Sequence, residues 1–328
     1  MAAVHTSDKS GSRPPLVGAG EYVYECHHNW GQLPDGFRWK NTHGVTIDRA
    51  GRVYIKHQGE PDSPLDTMLV FDPDGKFVRS FGQEYTGGGH GIDLRVEDGV
   101  EYLYLCDTVR RQIVKTDLQG EWIWKQRYPR EPGVYQNLNQ WKPTNIAFLP
   151  DGGFCVADGY GSHYIHRYDQ QAHWICTFGG EGTEPGKLKT PHGIWWDDRP
   201  GREPALMVAD RANARLQYFS VDGQPVEIVE GLLFPASFDL RGEVLLVPDL
   251  HARVSLFDIR NQPIIHLGDD PEWRQQVLAN NFQMRGEPSR WRPGKFIHPH
   301  DACFDSEGNI FVVEWVDAGR VTKLARVT

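Results

Sequence analysis

Four histidines occupy one position of a repeated phrase: Thr42-His43-Gly44-Val45, Gly89-His90-Gly91-Ile92, Pro191-His192-Gly193-Ile194 and Pro299-His300-Asp301-Ala302. Thr144-Asn145-Ile146-Ala147 and the weaker Pro235-Ala236-Ser237-Phe238 hold the same place in two further copies. Imidazoles gathered at one depth repel one another when charged and need partners when neutral. A divalent metal such as zinc answers both demands with three neutral ring nitrogens, and it keeps a fourth position open for water or substrate. With the copies in a circle, His90, His192 and His300 fall on alternate units in near three-fold symmetry, and His43 is left as a group that either supports the metal ligands from behind or faces the substrate. The other reading is a hydrated ring of histidines with no ion.

The rest of the phrase names the elements that must position this ring. An apolar strand is followed by an Asp/Gly turn, as at Asp48 to Gly51, Asp151-Gly152-Gly153 and Asp305 to Gly308. A second strand closes on Asp107, Asp158, Asp210, Asp249 or Glu314. A third carries Gln112-Ile113, Arg215-Leu216, Arg253-Val254 or Arg320-Val321, and a fourth is aromatic, closing on Phe81-Gly82 and Phe178-Gly179. Copies are spaced roughly 45 to 60 residues apart, the period of propeller blades lengthened by insertions. Four short strands per copy, parted by Gly/Asp turns, predict an all-β, six-bladed β-propeller whose innermost strands line the channel.

The sixth blade runs out of chain after its third strand. Glu21 to His28, where Tyr22, Tyr24 and Cys26 alternate with polar residues, is expected to supply the missing one and so remove an open edge. Residues 1–20 are expected to be a disordered leader and 21–328 a single propeller domain. An insertion over 269–295, with one short helix at Trp273 to Leu278, is either a lid or a packed surface excursion.

A net charge of −9 with scattered Lys and Arg argues against nucleic acid or an anionic membrane as partner. The five cysteines are odd in number and lack C-x-x-C spacing, which fits reduced thiols better than a disulfide framework, with Cys106–Cys155 the one bridge left open. The polar, Ser/Gly/Pro-rich start has no signal-like apolar core, and no run is long enough to span a bilayer, so a cytoplasmic protein is expected. His57, His163, His166, His173 and His251 lie outside the ring position and read as surface or inter-strand residues. The tryptophans read as blade packing.

These motifs resemble the NHL-repeat propellers and, among them, the peptidyl-α-hydroxyglycine α-amidating lyase group, from about Thr42 onward. The resemblance implies a six-bladed propeller with zinc held by His90, His192 and His300. It implies a catalytic tyrosine at Tyr160, in Val156-Ala157-Asp158-Gly159-Tyr160, and an active-site arginine at Arg211, in Ala209-Asp210-Arg211-Ala212-Asn213-Ala214-Arg215-Leu216-Gln217. A structural calcium would rest on Asp301, with Val45 and Ile92 as main-chain donors. The chain departs from the family's H-R-G-D phrase, reading His57-Gln58-Gly59-Glu60. Gln58 cannot grip a carboxylate bidentately as a guanidinium does. His298 stands where the family has a hydrophobic methionine, so His43, Gln58 and His298 are the expected substrate-binding residues.

The leading expectation is a zinc enzyme acting on a small-molecule or peptide-like substrate, lyase-like, with Tyr160 as acid/base and Arg211 as stabiliser of negative charge. Hydrolysis of a lactone or ester fits the same parts. Without chemistry, Tyr160 closes a turn, Arg211 is an ion-pair partner, and the propeller is a protein-binding scaffold.

Overall fold

The computed structural model describes residues 13–63 and 65–327. Of the expected disordered leader, residues 1–12 lie outside the described residues.

Local chemistry sets the hairpins. Asp48, Asp72, Asp117, Asp169, Asp258 and Asp305 each accept, through Oδ1, the N–H groups two and four residues on. The side chain thereby satisfies the turn's own backbone donors. The residue three after each Asp has positive φ, and four of the six are glycine: Gly51, Gly75, Gly120 and Gly308. Asp/Gly punctuation therefore marks real strand ends.

The strands form six antiparallel sheets, five of four strands and one of five. The molecule is a six-bladed β-propeller, as expected. The inner strands are Thr42–Ile47, Gly89–Glu97, Asn145–Phe148, Pro191–Asp197, Asp239–Arg241 and Pro299–Phe304. Side chains staple one inner strand to the next. Asn145 Nδ2 donates to Asp93 Oδ2 (2.8 Å), and Ile194 N donates to Asn145 Oδ1 (3.0 Å). Phe304 N donates to Asp239 Oδ2 (2.6 Å), and Val45 N donates to Asp301 Oδ2 (2.9 Å). Apolar clusters fill the space between neighbouring blades, as where Leu206, Val208 and Phe219 meet Cys155, Ala157 and Ile165.

In the last sheet Tyr22–His28 pairs antiparallel with Arg320–Arg326, joining the two ends of the chain. One expectation is corrected here. Leu16–Ala19, placed in the disordered leader, is a strand paired with Tyr22–His28. Its Val17 is buried beside Leu267 and Phe296, and a four-residue strand is too short to show an alternating pattern in the sequence.

The insertion carries α1, Pro271–Phe282, capped by the Asp270 side chain on Glu272 N and Trp273 N. Its helical geometry ends at Leu278, because Asn280, Asn281 and Phe282 adopt positive φ. Trp273 is buried and donates Nε1 to Phe296 O (2.7 Å), packing with Val277, Met284, Ile297 and Val316. That anchoring is a packed excursion, from which Arg285 reaches Asn41 of the first blade (Nη2 to Oδ1, 2.6 Å). All five cysteines are free, so Cys106 and Cys155 are not bridged. No helix among the described residues is long and apolar enough to cross a membrane.

Candidate metal centre and active site

Each histidine of the ring sits at a slip in its ladder. Gly89 and Ile92 face Asp107 and Leu105, and Pro191 and Ile194 face Asp210 and Val208. Pro299 and Asp301 face Glu314 and Val313, and Thr42 and Gly44 face His57 and Lys56. In every case the inner strand carries one extra residue. Such a bulge re-aims a side chain that the regular pleat would point elsewhere. The third blade has no slip at Asn145, and Asn145 stays between the strands as a staple.

His90, His192 and His300 form a nearly equilateral triangle, with ring centroids 4.6, 4.7 and 4.9 Å apart. Their nitrogens come within 4.8 Å of one another, the one such cluster of three or more His, Cys, Asp or Glu found among the described residues. Each Nδ1–H donates to a main-chain carbonyl of the following blade: His90 to Thr144 O (2.6 Å), His192 to Ala236 O (2.5 Å) and His300 to His43 O (2.7 Å). That bond sets the tautomer and leaves Nε2 with a lone pair. Close approach of the strands needs glycine, since a Cβ on Gly91 would lie 2.6 Å from Thr144 O and one on Gly193 2.6 Å from Ser237 Cα. Burial first, and then neighbouring cations and imidazoles, hold all three well below the ordinary histidine range, so they are neutral. Three neutral donors, each backed by a carbonyl, are the donor set of a zinc site with an open position.

Tyr160 and Arg211 come to this triangle from adjacent blades. The Tyr160 hydroxyl lies 3.0 Å from His192 Nε2, and its ring stands edge-on to His90 at 5.0 Å. Arg211 donates Nη2 to the same hydroxyl at 3.2 Å. Its guanidinium lies 4.9 Å over Phe234, which His251 stacks from behind at 4.7 Å. Arg211 is 7% exposed and Tyr160 is 37% exposed, so the tyrosine is the more open of the two to an incoming molecule. Sequence reasoning missed Phe234 and read His251 as a surface or inter-strand residue, because the phrase is weakest in that fifth blade.

The other expected site residues divide. His43 packs on His300 (4.7 Å) and His90 (5.7 Å), and burial pushes it down to about 3. Gln58 is half-buried and accepts from Asn41 Nδ2 (2.5 Å), which ties it to Arg285 through Asn41. His298 is fully buried under Phe282 (5.2 Å) and Trp315 (5.7 Å), with Nδ1 donating to Leu250 O, and it stands apart from the triangle. Asp301 lines the same axial cavity as His43, His90, His192 and His300, and Val45 lies against it. Its carboxylate oxygens accept backbone N–H groups from Val45 and Ala302, one on each, and each keeps a lone pair. His57 and His166 are buried between strands, whereas His173 is exposed.

Fold and site together define a six-bladed propeller with an axial cluster of three histidines that could hold a metal. No family model matches the chain. It is 25% identical over 327 residues to peptidyl-alpha-hydroxyglycine alpha-amidating lyase 1 of Drosophila melanogaster, an alignment covering 85% of this chain and 56% of the relative. It is 26% identical over 300 residues to peptidylglycine alpha-amidating monooxygenase of Rattus norvegicus, with 82% and 29% covered. NHL repeat-containing protein 3 of Homo sapiens is 27% identical over 209 residues, with 61% and 57% covered. The chain thus spans less than two thirds of the length of each of these relatives. Similar solved structures include virginiamycin B lyase from Staphylococcus aureus (TM-score 0.58, 12% identity, 93% of this chain and 100% of that one). A gluconolactonase from Xanthomonas campestris is another (TM-score 0.59, 14% identity, 99% and 98%). These two likenesses concern the fold alone.

Proposed function

We propose that this protein is a metal-dependent, lyase-like enzyme acting at the channel mouth on a small oxygenated or peptide-like substrate, with zinc on His90, His192 and His300. The observation that carries the reading is the converging triangle of neutral imidazoles with a Tyr160 hydroxyl 3.0 Å from one of them. Similarity to amidating lyases supports it.

A zinc ion held there would polarise a substrate oxygen or lower the pKa of bound water to roughly 7. The chain's own residues do the rest. Tyr160 carries the proton of a substrate hydroxyl to the departing nitrogen as the C=O bond forms and the neighbouring C–N bond breaks. Arg211 stabilises the negative charge that develops at the oxygen. Gln58 and His43 meet the remainder of the substrate, and the amide of Gln58 selects for a different group than a guanidinium would.

Metal analysis of the purified protein tests the first half: about one equivalent of zinc is expected, and His192→Ala should lose it. A protein carrying no transition metal, with His192→Ala unchanged in composition and stability, defeats the reading and leaves a scaffold. Release of glyoxylate from an α-hydroxyglycine peptide tests the second half. Zinc-loaded protein that leaves this peptide intact moves the chemistry to another substrate, a lactone or ester first.

A further inference from the structure

The carboxylate that closes the second strand meets an arginine in four blades. The pairs are Asp107–Arg110 (3.3 Å), Asp210–Arg215 (2.7 Å), Asp249–Arg253 (3.5 Å) and Glu314–Arg320. Asp158, in the blade that carries Tyr160, is the exception. Among the described residues no cationic side chain lies within ion-pair distance of it, although it is fully buried. The start of the third strand, where Arg215, Arg253 and Arg320 stand, is Tyr164 here, and two residues on comes His166.

A chain of neutral hydrogen bonds takes the place of the cation. Trp174 Nε1–H donates to Thr177 Oγ1 at 2.9 Å. Thr177 Oγ1 meets His166 Nδ1 at 2.7 Å, and His166 Nε2 meets the Tyr135 hydroxyl at 2.6 Å. Tyr135 donates to Asp158 Oδ2 at 2.8 Å. Tyr135 has one proton and gives it to the ionised Asp158 carboxylate, so His166 Nε2 must donate to the Tyr135 oxygen and His166 Nδ1 must accept from Thr177. His166 is therefore protonated on Nε2, the opposite tautomer from His90, His192 and His300. Asp158 in turn accepts from Lys142 N (2.7 Å) and Ser162 N (2.6 Å), which bracket Tyr160, and Tyr160 N donates to Lys142 O (3.3 Å).

We infer that Tyr135 and His166 are positioning residues for Tyr160, acting through Asp158 and the loop it clamps, in place of the ion pair used by the other blades. The inference rests on the reading that Tyr160 meets the substrate, but its geometry does not depend on which substrate that is. Hydrogen bonds linked head to tail in a buried site reinforce one another, so the clamp should be stiff and sensitive to loss of one link.

The test uses the full chain with 3-fluorotyrosine at position 160, read by ¹⁹F NMR, together with ¹⁵N NMR of the histidines. With Asp158 ionised, at about pH 9, the Nε2–H tautomer is expected for His166. Tyr135→Phe and His166→Leu should displace or broaden the resonance of residue 160, and His166→Gln, which keeps a donor near the Nε2 place, should restore it in part. Tyr168→Phe, removing a buried hydroxyl that has no partner in the same blade, should leave it in place. Folded Tyr135→Phe protein with an unchanged resonance overturns the inference, as does an Nδ1–H tautomer at His166. Because the resonance does not require turnover, an inactive protein that passes this test counts against the proposed chemistry and not against the clamp.

Discussion

Blades three and four solve one mechanical problem in two ways. Each must end its second strand on a buried carboxylate and, one or two residues later, present a side chain to the channel. In blade four Asp210 gathers Arg215 Nε (2.7 Å), Gln217 Nε2 (2.9 Å), Asn213 Nδ2 (2.8 Å) and Lys189 N (2.6 Å), and Arg211 follows at once. In blade three Asp158 is held only by neutral donors, and burial pushes it up to about 7. A further cation behind Tyr160 would add positive charge to a place already facing Arg211 and three imidazoles that could hold a metal ion. The neutral chain holds the loop without adding that charge, and the two blades show how a repeat can keep its geometry while changing its electrostatics.

The comparison breaks first at the residues presented. Tyr160→Phe should cut turnover of an accepted substrate by about 10²- to 10⁴-fold, the usual worth of a positioned proton carrier. Arg211→Ala should cost about 10²- to 10³-fold, as loss of one stabilising donor does. Steady-state kinetics with metal content measured alongside separates these losses from loss of the ion.

Next come the carboxylates. Asp210→Asn leaves Arg215 buried and unpaired and should destabilise by about 3–5 kcal/mol. Asp158→Asn removes no ion pair and should cost about 1–3 kcal/mol, the range for a buried polar group left unsatisfied. Denaturant titration of both variants checks the order, and equal losses would remove the distinction between the blades.

A further effect is one of pH. Asp158 has a folded-state pKa raised to about 7 by burial, so the folded protein binds this proton more tightly than the unfolded chain does. Its contribution is fully present below the unfolded carboxylate range and is lost as pH rises through about 7. The melting temperature of the wild type relative to Asp158→Asn should therefore fall between about pH 4 and pH 7. A constant difference across that window would mean that Asp158 does not titrate there.

Much of this was legible along the chain. Asp/Gly turns and short apolar strands are local, since an Asp side chain satisfies its own turn, and their recurrence yields six blades. The ring of histidines was legible for the same reason: equal positions in equal repeats fall at equal depth. Leu16–Ala19 was not, because a strand of four residues owes its order to Val17 packing on residues at the other end of the chain. Nor was the place of His298, which depends on an insertion folding Phe282 over it.

The amino-acid sequence by itself determined the fold and the grouping of His90, His192 and His300, which are properties of the repeat, while the candidates Tyr160 and Arg211 came from the resemblance to the amidating lyases. Only the tertiary structure decided which nitrogen each histidine turns to the axis, because carbonyls of the following blade take the other. It also decided that Tyr135 and His166, 31 residues apart, share a hydrogen bond behind Tyr160. Hydrogen-bond direction depends on which donors and acceptors meet in space, and no spacing along the chain encodes that.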